Sequence, residues 1–322
     1  MRLALTFAVL VALAAQAAEE GPQAPYRGSR VSLRNAVSTV SFDRGAQLTY
    51  DPYDALTLGL DGRWWFSERF FAKGRVDLSR ELTESNITTR SGELLLGDVV
   101  LGAGLDRAYT VPRAELQLSG DVSLRLPTSL ASRADTLVLG LEPSFRVARA
   151  FAFRGGASVR YSFSPSLHFH RFTTGERISP LIVGCAPGSV ECERFLNTGG
   201  RNAPFSHGHT LDGGVQLLSW LSLSAAVGVQ VAHLYPAATD PRVSLVPQEP
   251  TDALFTNIFA LEATFTPMPS LSVGLGASTV NPQLAPDSSR YGLFFNRYTT
   301  LFLELRFDPA GLSAQLQGGS TT

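Results

Sequence analysis

From Gly213 to Thr239 no residue carries a formal charge, counting histidine as neutral. A stretch that long can cross a bilayer as a helix, but its internal order argues against one. Leu221, Leu223, Ala225, Val227, Val229 and Val231 alternate with Ser222, Ser224, Ala226, Gly228, Gln230 and Ala232. One face is apolar and the other small or polar, with a period of two, which is the pattern of a strand. Leu211, Gly213, Val215 and Leu217 alternate in the same way with Thr210, Asp212, Gly214 and Gln216, and Ser219-Trp220 joins the two runs as a tight hairpin.

The pattern recurs along the chain. Leu56, Leu58, Leu60, Gly62, Trp64 and Phe66 share a face, as do Phe70, Ala72, Gly74, Val76 and Leu78, then Leu116 to Leu126 and Leu137 to Val147. Phe151 to Phe163, Phe255 to Phe265, Leu271 to Ala277 and Thr299 to Phe307 follow. Leu94 to Leu105 is apolar on both faces, so its parity is ambiguous. The first strand falls between Val31 and Tyr50, with Ala46, Leu48 and Tyr50 on one face. The expected fold is all-β, a closed antiparallel up-and-down transmembrane barrel of about twelve strands, with ten or fourteen as alternatives. A soluble sandwich also alternates, but its strands average roughly five or six residues. These run about ten to thirteen, the length a tilted strand needs to cross a bilayer. In lipid no backbone group can stay unpaired, so such a sheet must close. Short and long connections alternate through the second half, as periplasmic turns and external loops do. Phe66, Phe70, Phe151, Tyr161, Phe163, Trp220, Phe265 and Phe307, at strand ends, suit two interfacial girdles.

Residues 1–17 read as a signal peptide, with Arg2, an apolar run Leu3 to Ala15, and Ala15-Gln16-Ala17 as the cleavage site. An uncleaved anchor is the alternative. Residues 18–35 read as a periplasmic lead-in, 36–307 as the barrel and 308–322 as a polar tail. Cys185 and Cys192 are the only cysteines. In an exported chain, with Pro187-Gly188 as a turn between them, they are expected to form a disulfide within the long loop 164–206. The net charge of −1 gives no electrostatic reason to expect nucleic acid.

The last strand, Tyr298 to Phe307, resembles the C-terminal β-signal of bacterial outer-membrane proteins, with alternate apolar positions ending in Phe. The resemblance implies insertion by the barrel assembly machinery into a layer of outer-membrane lipid and lipopolysaccharide. The departure is the segment after Phe307. No hatch domain, plug or energy-coupling motif is evident, so the resemblance is to the general porin and transporter class.

If the apolar face meets lipid, the other face lines the lumen. The pore-lining candidates are Arg63, Lys73, Arg75, Asp77, Asp121, Arg125, Glu142, Arg146, Arg154, Arg160, Asp212, Glu262, Glu304 and Arg306, with Asp61, Glu81 and Glu115 on the same parity. Arg125, Arg146, Arg154 and Arg160 form either a basic stripe for anionic solutes or, the preferred reading, pairs with Glu115, Asp121 and Glu142. His168, His170, His207, His209 and His233 cluster near one rim and invite a metal-site reading. Parity opposes it, because the first two continue the lumen register and the other three the lipid register. A rim-sited hydrolase needs a nucleophile beside a histidine, but Ser206 and His207 point to opposite faces. No recognised nucleophile motif or orienting partner accompanies them, so no enzyme and no cofactor are expected. The expected function is a passive or weakly selective channel for small polar solutes. The alternatives are surface binding, adhesion or a structural role through loop 164–206, and the rim hydrolase.

Overall fold

The computed structural model describes residues 24–42, 52–85, 90, 92–153, 155–178, 195–236, 252–285 and 288–318. Its strands are β1 (Arg30–Ser38), β2 (Asp54–Trp65), β3 (Phe70–Glu81), β4 (Leu94–Leu96), β5 (Val99–Val111), β6 (Leu116–Leu126), β7 (Leu137–Phe151) and β8 (Ala157–His170). There follow β9 (Thr174–Ile178), β10 (Phe195–Arg201), β11 (Phe205–Leu218), β12 (Leu221–His233), β13 (Ala253–Met268), β14 (Leu271–Pro282) and β15 (Thr299–Phe307). Two short helices are α1 (Leu130–Ala134) and α2 (Pro309–Gly318).

Twelve of these strands pair antiparallel with their chain neighbours, and β1 closes the ring against β15, Val31 facing Phe307 and Ser38 facing Thr300. The short β4 adds to β3, while β9 and β10 form a separate hairpin. Tight turns lie at one end of the barrel throughout and longer connections at the other. By the usual arrangement of outer-membrane barrels, the tight end is periplasmic.

The packing is inside-out relative to a water-soluble protein. Exposed positions include Leu33, Leu58, Leu60, Trp64, Leu101, Leu105, Phe145, Leu211, Leu275, Leu303 and Leu305. Among the largest fully buried side chains are Glu262, Asn281, Thr279 and Thr299. A continuous apolar exterior around a polar interior is stable only where the surroundings are themselves apolar. Phe66, Phe70, Phe151, Tyr161, Trp220, Phe265 and Phe307 are all exposed, as girdle residues must be.

Four expectations are corrected. The first strand is Arg30–Ser38, so residues assigned to the lead-in belong to the barrel; Ala46, Leu48 and Tyr50 lie outside the described residues. Val31 and Leu33 carry the lipid-facing parity, but β1 is short and its run of apolar residues too brief to stand out. The segment after Phe307 is not a plain tail: α2 folds back, with Ser270 Oγ donating to Gln315 and Asp308 N to the Ser270 carbonyl. Residues 164–170 are strand, because Leu167 and Phe169 prolong the apolar face of β8 past Pro165, and β11 opens at Phe205; the loop is correspondingly shorter. Glu115 sits in the β5–β6 turn with φ of 55° and reaches Arg149 at 3.9 Å, not the lumen. The ambiguous run resolves with Leu101 and Leu105 outward and Val100, Gly102 and Gly104 inward.

Candidate functional site: the barrel lumen

The inward residues of successive strands meet at register, and their charges assemble into separate groups. On β1, β2 and β3, Arg30 approaches Asp61 at 3.7 Å, and Arg75 binds Asp77 at 2.7 Å with Asp61 at 3.8 Å. Lys73 crosses β5 to bind Asp121 on β6, whose other oxygen takes Arg146 of β7 at 2.6 Å. Arg125 binds Glu142 at 2.6 Å and reaches Asp98 at 3.7 Å. Arg160 makes a two-pronged contact with Asp212, at 3.1 and 2.7 Å. Arg306 bridges Glu262, two strands away, and Glu304 on its own strand, with bonds of 2.8 and 2.9 Å from one nitrogen. Thr264 Oγ1 adds a bond of 2.6 Å to Glu262. This last network is the most enclosed: Glu262 is 1 %, Glu304 3 % and Arg306 7 % exposed.

Among the described residues, two lumen arginines take no part in these pairs. Arg34 lies 3.9 Å over the ring of Phe302 and donates to Ser278 Oγ at 3.3 Å. The guanidinium of Arg63 lies 4.6 Å over the ring of Phe71. Glycine makes room for the long side chains. A Cβ on Gly104 would stand 2.5 Å from Asp121 Cβ and 2.8 Å from both Phe71 Cζ and the Gly120 carbonyl. One on Gly102 would meet Ser123 Oγ at 2.8 Å and Lys73 Cε at 3.0 Å. The inner face of β5 is therefore a trough along which Phe71 and Lys73 lie.

The wall opposite is built differently. Inward positions of β8, β11 and β12 are mostly Ser, Gly and Ala, among them Ser158, Ser162, Gly208, Gly214, Ser224, Ala226 and Gly228. Apart from the Arg160–Asp212 pair, the large inward side chains of this wall are Gln216, Gln230, His168 and His170.

At the periplasmic end the chain entering β1 lies across β2. Trp65 Nε1 donates to the Arg27 carbonyl at 2.8 Å, and the Arg27 guanidinium stacks 4.0 Å over the Trp65 ring. At the external end Asn202 ties three connections together. Its amide donates to the carbonyls of Asp135 at 2.7 Å and Phe172 at 3.0 Å, and its own carbonyl accepts from Tyr235 N. Asp98 caps α1, accepting from Ser129 N and the Ser132 hydroxyl.

Of the four arginines considered as a basic stripe, Arg125 meets Glu142, Arg146 meets Asp121 and Arg160 meets Asp212. Asp212 replaces Glu115 as the third acid. Arg154, Cys185 and Cys192 lie outside the described residues. Arg30, Arg34 and Asp98 escaped the sequence reading. The first two lie on β1, opposite Val31 and Leu33, where the apolar run is too brief to mark a strand; Asp98 was hidden in an apolar run.

The histidines divide as their parity requires. His168 bonds the Ala203 carbonyl at 3.1 Å, and His170 packs edge-on against Tyr235. His207 and His209 face outward, 3.1 Å apart, with His209 bonded to the Tyr161 hydroxyl at 2.7 Å and His233 stacked on Phe205. Among the described residues no cluster of three or more His, Cys, Asp or Glu is arranged to hold a metal. Ser206 is buried on the inner side, away from its neighbour His207.

No family model matches the chain, and no curated protein matches it significantly. Among solved structures, the COG4313 outer membrane channel from Pseudomonas putida F1 aligns with a TM-score of 0.53, covering 90 % of this chain and 99 % of that one at 13 % identity. The chain has the fold of a bacterial outer-membrane β-barrel. The NanC porin aligns more loosely, with a TM-score of 0.42 at 7 % identity over 86 % of this chain and 98 % of that one. LpxR from Salmonella typhimurium gives 0.34 at 12 % identity, over 86 % and 99 %.

Proposed function

We propose that this barrel is a passive channel for small polar solutes across the outer membrane. The observation that carries the reading is the asymmetry of the lumen. Apart from the Arg160–Asp212 pair, the long charged side chains are drawn onto the β1–β7 and β13–β15 walls by mutual pairing, while β8, β11 and β12 present a lining of mostly small residues. Twelve strands enclose more than the eight whose interior side chains alone can fill, so the cross-section beside the small-residue wall is the path for solute. Likeness in fold to a protein named as an outer membrane channel supports the same reading.

The test is single-channel recording of the refolded protein in a planar bilayer. A steady conductance is expected; a barrel that is folded and inserted yet electrically silent would overturn the reading. The same recording separates the two faces. His209→Leu alters only the lipid side and is expected to leave conductance unchanged. Ser224→Trp places a large side chain on the small-residue wall and is expected to lower conductance severalfold.

A further inference from the structure

We propose that the lumen holds an anion-binding subsite near its periplasmic end, formed by Arg63 with Lys73 and Arg146, that takes the carboxylate or phosphate group of a small solute. The proposal builds on the channel reading, which supplies the route to the subsite.

The charge groups of the lumen are not equivalent. Arg160 and Asp212 balance each other, as do Arg30 and Arg75 with Asp61 and Asp77. Arg34 and Arg306 balance Glu262 and Glu304. Arg125 is outnumbered by Glu142 and Asp98. Around Asp121 the cations exceed the acids among the described residues: Lys73 and Arg146 share that one carboxylate, and Arg63 stands beside them with Asp106 and Asp61 as its other acidic neighbours. Lys73 and Arg146 each stand at ion-pair distance from one oxygen of Asp121, whose side chain is 2 % exposed, and neither oxygen bonds Arg63. Among the described residues no carboxylate lies within ion-pair distance of Arg63, and its guanidinium donates to no protein acceptor.

The geometry suits an oxyanion. Cross-strand pairing sets Arg63 directly beside Lys73, and the glycine trough of β5 lets Lys73 reach Asp121 without leaving the wall. The Arg63 guanidinium lies over the Phe71 ring and beside Gly28, and the N–H groups of its edge bond no acceptor among the described residues. That edge is the fork that matches a carboxylate or phosphate with two parallel bonds. Lys73 and Arg146 keep 28 % and 25 % of their side chains accessible, so the cluster faces open lumen and is not sealed in the wall.

The experiment measures reversal potential across a KCl gradient, then titrates inorganic phosphate against the chloride current. Wild-type protein is expected to prefer chloride over potassium and to be blocked by phosphate at millimolar concentration. Arg63→Gln is expected to lower the chloride-to-potassium permeability ratio roughly fivefold, the factor for one unit charge acting at about 4 Å in water, and to abolish the block. Arg63→Lys keeps the charge without the fork, so it should keep the chloride preference and lose most of the block. Cation preference in the wild type, or phosphate block undiminished in Arg63→Gln, would overturn the subsite. If the inserted barrel is silent, the channel reading fails, and the subsite is judged by tryptophan fluorescence of the detergent-solubilised protein, reporting through Trp65. A phosphate-dependent change that Arg63→Gln removes supports the subsite without a channel; a wild-type signal indifferent to phosphate refutes it.

Discussion

Arg306→Met is expected to destabilise the folded barrel by about 3–5 kcal/mol, the usual loss when one partner of a buried ion pair is removed. Arg306 is the only cation bonded to Glu262 and Glu304 among the described residues, and both carboxylates are almost wholly enclosed. Without it, two acids remain buried side by side, with Arg34 too far to form an ion pair with either. Desolvating a carboxylate without a partner costs far more than a methionine's packing returns. The network also spans the closing seam. Glu262 on β13 reaches across β14, where a Cβ on Gly274 would stand 2.5 Å from its oxygen, to Arg306 on β15, the strand that pairs with β1. Urea unfolding of the refolded protein in liposomes should show the midpoint fall. Arg306→Met with Glu262→Gln and Glu304→Gln should recover much of the loss, because neutral amides need no counter-charge. A single variant as stable as wild type would mean that water reaches the network freely. The loss should vary little between low and high salt, since enclosed pairs are poorly screened.

Gly104→Val is expected to cost about 1–3 kcal/mol, typical of overpacking a filled interior, and to reshape the periplasmic end of the lumen. The added carbons meet the Gly120 carbonyl, which belongs to the ladder and cannot retreat, and the Phe71 ring, which can. Phe71 is 2 % exposed and lies under the Arg63 guanidinium, so its displacement carries Arg63 toward the pore axis. Lower conductance should therefore accompany the lower unfolding midpoint. Gly120→Ala is the control: its Cβ faces the outer side, with nothing nearer than 3.4 Å, and both readouts should stay near wild type. Unchanged conductance in Gly104→Val would show that the trough on β5 plays no part in shaping the lumen.

The barrel was legible because its physical basis is local. A strand crossing lipid must place every second side chain in hydrocarbon, and that demand writes a period of two into each segment. Leu221 to Val231 and Leu301 to Phe307 show it without any knowledge of the rest of the chain. Legibility failed where the period was broken or brief: at β1, whose apolar face is short, at β5, where two glycines and a valine occupy the inner face, and at α2, a short helix held by the β13–β14 turn.

The amino-acid sequence by itself determined the class of fold and the approximate strand number, because these follow from alternation along one strand. The tertiary structure alone decided which charges meet. Arg160 chose Asp212 over nearer acids in the sequence, Arg306 reached past a whole strand to Glu262, and Arg63 was left beside a shared carboxylate. Those outcomes depend on register and on the glycine gaps in intervening strands. Pairing across a sheet is set by how many strands slide past one another before the ring closes, and no single strand contains that information.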